Sequence, residues 1–91
     1  MSRAGEEEDE VVHRAIEAGE IAPLQALFAE IRREYQGRIL KVELEQEWHG
    51  EDPIWVYEAK ILTPRGHVLE LEYDAKSLEL IEIEGQHDDD D

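Results

Sequence analysis

The chain contains no cysteine, which removes disulfides, thiolate metal sites and cysteine nucleophiles together and leaves the redox compartment undetermined. Side-chain alcohols are nearly absent as well: besides the tyrosines there are only Ser2, Thr63 and Ser77. None has a histidine at a spacing that suggests a nucleophile–base pair. Basic residues are scarce, nine Lys and Arg against twenty-five Asp and Glu, for a formal charge of −16. A chain so negative does not bind the nucleic-acid backbone or an anionic membrane by electrostatics. No apolar run approaches the ~20 residues of a membrane span, and no signal-peptide core is present. Composition leaves an acidic interaction domain.

The charge is concentrated at the ends. Residues 1–10 carry −4 (Arg3 against Glu6, Glu7, Glu8, Asp9 and Glu10), and residues 81–91 carry −6 (Glu82, Glu84 and Asp88 to Asp91). Like charges repel there and little is available to bury. Residues 1–8 and 85–91 are therefore expected to be disordered acidic ends, with the folded domain over 9–84. A chain of 91 residues buries only about 60–65% of its extended surface, enough for one thin core.

Within that domain, Asp9 to Gly19 reads as a short helix, with Val11, Val12, Ala15 and Ile16 on one face and Gly19 placed for a left-handed cap. Pro23 suits the first position of a second helix. Leu24, Leu27, Phe28, Ile31 and Tyr35 then form an apolar stripe, Arg32, Arg33 and Arg38 gather at the negative end of the dipole, and Gly37 ends the helix. From residue 38 the period changes to two. Leu40, Val42 and Leu44 alternate with charged residues, and His49 to Pro53 reads as a hairpin loop. Trp55, Tyr57, Ala59 and Ile61 make a second strand, Thr63 to Gly66 a turn, Leu69, Leu71 and Tyr73 a third strand. Asp74 to Ser77 turns the chain into a short fourth strand, Leu78 to Ile83. The pattern predicts an α+β fold, ααββββ: two N-terminal helices packed on one face of a four-stranded antiparallel meander, in two layers. The opposite face is mostly glutamate with Lys60, and has room for Val56, Leu62 and Val68.

Several stretches resemble one family. Ala18 to Leu24 and Gly37 to Glu45 resemble the helix-to-first-strand region of the PepSY domain, and Trp55 to Gly66 is similar to its second strand and Pro-x-Gly turn. Leu69 to Ala75 matches its third strand and preferred Asp-Ala. After Asp-Ala the family usually has x-Thr-Gly-Glu, whereas this chain has Lys76-Ser77-Leu78-Glu79. Ser77 can serve as the turn acceptor, but Leu78 takes φ > 0 less cheaply than glycine. The resemblance implies a non-enzymatic, exported module without a cofactor. Such domains occur in metalloprotease propeptides and in sensors, and a protease-regulating role has been proposed for them. The exported members carry a signal peptide. The reading is therefore of a periplasmic or extracytoplasmic mature form, with a cytosolic relative as the alternative.

Two sets of residues are candidates for chemistry. Asp9, His13 and Glu17 share a helix face, and His87 precedes the aspartate run, so His13, His87, Asp88 and Asp89 are candidate ligands for a divalent cation. The spacing matches no zincin, EF-hand or finger. Trp48 and His49 flank the first hairpin and are candidate partner contacts. Trp48 is read first as a covered strand end and otherwise as an exposed anchor. Either edge of the open sheet could accept a strand from a protein partner or from a second copy. The resemblance implies a protease or envelope sensor as the partner, and the charge and hydropathy imply no nucleic acid and no membrane insertion. A cation-binding envelope protein is the alternative, and an acidic mimic of nucleic acid a third.

Overall fold

The computed structural model describes residues 4–85. Its elements are α1 (Ala4–Glu17), α2 (Leu24–Glu34), β1 (Arg38–His49), β2 (Asp52–Leu62), β3 (Val68–Asp74) and β4 (Leu80–Gly85). The strands lie antiparallel in the order β1-β2-β3-β4. This is the predicted α+β arrangement, two helices followed by a four-stranded meander.

α1 starts at Ala4 rather than Asp9, so the acidic run joins the helix near the positive end of its dipole. It closes as the sequence indicates: Glu20 N–H donates to Ala15 O at 2.8 Å and Gly19 N–H to Ile16 O at 3.0 Å, with Gly19 at φ +80. Pro23 sits one position before α2 rather than in its first turn, at φ −67 and ψ 155. Its carbonyl accepts the first helical bonds, from Ala26 N–H at 2.9 Å and Leu27 N–H at 3.3 Å.

Of the predicted stripe on α2, Leu27 and Ile31 are fully buried, Phe28 and Tyr35 are half-buried, and Leu24 is 43% exposed. The difference follows from side-chain direction. Helical side chains lean toward the N-terminus, so a first-turn residue projects past the end of the helix. Gly37 also departs from expectation. The helix ends at Glu34, and Tyr35 is already extended. At φ +134 Gly37 instead brings the chain against the end of β2, where a Cβ would fall on the Leu62 carbonyl oxygen.

On the helix-facing side of the sheet Ile39 stands opposite Ile61, Val42 opposite Ala59, and Leu44 opposite Tyr57. Leu40, expected in that row, is the bulged residue between Ile39 and Lys41 and is 49% exposed. One extra residue reverses the parity of everything before it, so Ile39 takes the inward place. The core gathers Ala15, Ile21, Leu27 and Ile31 against Tyr57, Ala59, Ile61, Leu71, Tyr73 and Ala75.

Ile21 lies in the connection between the helices, which is tied to the sheet at two points. Ala22 N–H donates to Ala75 O, and the Tyr57 hydroxyl donates to Ala22 O, each at 2.7 Å. The Asp74-Ala75 pair organises the turn that receives this connection. The Asp74 carboxylate accepts from Lys76 N–H at 2.8 Å and Ser77 N–H at 3.1 Å, while Ala75 is fully buried and its N–H donates to Trp55 O. Ser77 Oγ accepts from Glu79 N–H at 3.2 Å. Leu78 does adopt φ +62, where a side chain costs about 1–2 kcal/mol. Packing of its half-buried side chain on the core offsets that strain.

The two core tyrosines make opposite predictions. The Tyr73 hydroxyl is buried without a hydrogen-bond partner among the described residues, and burial pushes its pKa up to about 12. Tyr73→Phe is expected to raise stability by about 1 kcal/mol, and Tyr57→Phe, which orphans the Ala22 carbonyl, to lower it by about as much. Urea denaturation of the two variants measures both.

Candidate interaction surface

The sheet face away from the helices is built by register. One row across the four strands reads Glu43, Glu58, Glu72 and Glu82. The next reads Lys41, Lys60, Glu70 and Glu84. Like charges directly opposite each other are destabilising, so these rows cost stability wherever no cation intervenes. Lys41 Nζ lies 3.0 Å from Glu43 and Lys60 Nζ 3.6 Å from Glu70. The hydrogen bond and charge of Lys41 hold the Glu43 carboxyl below its ordinary range. Glu58 is raised, first by desolvation and then by the charges of Glu45, Glu70 and Glu43. Val56, on this same face, is nonetheless fully buried.

Glu72 carries the largest consequence. Desolvation, then hydrogen bonding and charge from Glu47, then Glu82, raise its pKa from the ordinary 4.5 to about 7. Between those values the native state holds a proton that the unfolded chain has lost, so stability rises as pH falls from 7 toward 4.5. Discounted for solvent screening, the gain is about 1 kcal/mol. Thermal melts at pH 8 and pH 5.5 are expected to show it, and Glu72→Gln to remove most of the difference.

A second surface lies at the β1–β2 hairpin. The ladder runs to His49 opposite Asp52, so the turn is the two residues Gly50 and Glu51 rather than a loop over 49–53. Gly50 at φ +68 supplies the left-handed first position of a tight hairpin turn. Pro53 is a strand residue opposite Trp48. It is tolerated because β3 pairs with β2 only from Val56 onward, leaving β2 a single neighbour there. The four pairs beyond Val56 thus form a two-stranded ribbon about 14 Å long. Trp48 lies on it, 67% exposed, while Trp55 at its base packs on the core. Trp48 is thus exposed, not the covered strand end expected first.

Of the cation candidates, His13 lies among the described residues. His13 Nε2 lies 3.1 Å from Glu17 on an exposed stretch of α1. His87, Asp88 and Asp89 lie outside the described residues. Among the described residues, Glu43, Glu45 and Glu58 bring carboxylate oxygens within 4.8 Å of one another. Their signal in the sequence is the alternation of glutamate along the strands, but which ones meet depends on register. An open groove of about 370 Å³ separates the end of α2 from the start of β1, lined among others by Phe28, Tyr35, Arg32 and Arg38. Its described lining contains no serine, threonine, histidine, aspartate or glutamate.

Residues 8–84 match the model of the Peptidase propeptide and YPEB domain, PepSY. The chain belongs to the PepSY family. No curated protein and no solved structure matches it. PepSY domains are propeptide and inhibitory-type interaction modules, regulatory rather than catalytic, and they occur in extracytoplasmic proteins. In this PepSY domain no helix among the described residues is long and apolar enough to cross a membrane.

Proposed function

We propose that this PepSY domain is a non-enzymatic extracytoplasmic module that binds a peptidase or an envelope sensor and regulates it. Contact is made through the β1–β2 rim at Trp48 and His49. The observation that supports this most is Trp48 itself. A tryptophan 67% exposed on a projecting ribbon contributes nothing to the core, and indole is the side chain most favoured at the centre of protein interfaces. The ribbon presents it without requiring the domain to open. Family membership supports the regulatory role and the compartment.

Trp48→Ala is expected to leave stability within about 0.5 kcal/mol of the parent, since the ring is largely in water. It is expected to weaken binding to a partner captured from envelope extract by about thirtyfold, the effect of losing one interface anchor. Titration calorimetry or surface-immobilised binding would measure the change, and unaltered affinity would remove the rim from the interface. The alternative is a divalent-cation-binding protein, for which the converging Glu43, Glu45 and Glu58 carboxylates are the relevant observation. It predicts that capture needs the metal.

A further inference from the structure

We propose that the free edge of β4 accepts an added strand from the protein partner, one whose side chains alternate between apolar and basic. This rests on the interaction-module reading above and names a second surface and the chemistry it selects. All six residues of β4 are exposed, and among the described residues the strand pairs only with β3. Its outer backbone groups are a template for another strand.

The side chains specify which strand. Leu80 and Ile83 stand opposite Tyr73 and Leu71, so they share the core-facing side of the sheet, yet they are 41% and 48% exposed. Ile81, the bulged residue beside Leu80, is 46% exposed. The helices bury the inner strands and leave this margin open. Apolar side chains on an added strand would extend the core over it.

The other face asks for the opposite chemistry. Glu82 and Glu84 stand opposite Glu72 and Glu70, so each row ends at the edge with glutamate beside glutamate. Residues of an added strand opposite Glu82 and Glu84 would point to this same face, with Cβ atoms about 5 Å away. Lysine or arginine there relieves the repulsion, as Lys60 does for Glu70 within the sheet. A second copy of the chain does not fit. Pairing β4 with β4 would set glutamates against glutamates between two chains of charge −16.

The test uses isotope-labelled full-length chain and eight-residue peptides. The probes are a strictly alternating valine–lysine peptide, the same composition in two blocks, an alternating valine–glutamate peptide, and the first peptide N-methylated at alternate residues. The alternating lysine peptide is expected to shift the amide resonances of residues 80–85 most. The block, glutamate and N-methylated versions are expected to bind at least about tenfold more weakly. The double variant Glu82→Lys with Glu84→Lys is expected to exchange the preference, binding the glutamate peptide instead. Equal binding of alternating and block peptides, or shifts on β1 that spare β4, would overturn the proposal. So would sedimentation showing a dimer closed through β4. A captured partner that is lost on Trp48→Ala but indifferent to the Glu82/Glu84 double variant would overturn the edge alone and leave the interaction module standing. Absence of any protein partner would overturn both.

Discussion

Gly37→Ala is expected to lower stability by about 3 kcal/mol or more, the largest loss from alanine at any of the described glycines. Two costs act together. Gly37 sits at φ +134, a conformation that side chains rarely adopt, and a Cβ there would land on the Leu62 carbonyl oxygen with the Leu62 carbon and the Thr63 Cα close behind. Those neighbours are backbone at the end of a central strand, so they cannot swing aside as a side-chain tip could. The comparison is Gly19→Ala. Gly19 has φ +80 but nothing within 4 Å of a built Cβ, so only the conformational cost of about 1–2 kcal/mol remains. Urea midpoints of the two variants separate the terms. Equal losses would show that the close approach of residue 37 to β2 does not exist.

The second large effect concerns how α2 is held. Leu27→Ala is expected to cost about 2–5 kcal/mol, because Leu27 is fully buried and truncation leaves a cavity against the sheet. For a domain of this size that is a large share of the total, which is of order 5–10 kcal/mol. Leu24→Ala, three residues earlier on the same apolar stripe, is expected to cost less than about 0.5 kcal/mol because Leu24 is 43% exposed. Helical periodicity alone treats the two leucines alike. Denaturation curves that gave them equal effects would mean the first turn of α2 lies over the sheet after all.

The pair also shows where periodicity stops being informative. It locates helices and strands, because burying one face imposes periods of 3.6 and 2 on the sequence, and the order ααββββ follows. It does not reveal where an element overhangs its neighbour, and so it places Leu24 in the core. Nor does it reveal a bulge: Ile39-Leu40 are both apolar, and only the pairing with Ile61 and Lys60 shows that Ile39 faces inward. Pro53 misdirects for a related reason. Proline argues against a strand unless one side of that strand is open, which the short β3 provides.

The interaction surfaces were legible in kind but not in place. Alternating glutamates announce a charged sheet face, yet the row Glu43, Glu58, Glu72, Glu82 exists only through the registers of three strand pairs. Trp48 is adjacent in sequence to a hairpin, but its exposure depends on β3 ending where it does. The His13–Glu17 contact, at i and i+4 on one helix, is local and follows from spacing alone. Groupings across strands depend on tertiary register instead.

Capture tests most directly whether this PepSY domain works by binding a protein. Residues 1–91, the same chain lacking Asp88 to Asp91, and the Trp48→Ala variant would be immobilised and exposed to envelope and cytosolic extracts with and without chelator. The expected result is one envelope protein held by the first two, indifferent to chelator, and lost with Trp48→Ala. Retention that requires the aspartate tail or a metal ion, or the absence of any retained envelope protein, would contradict it.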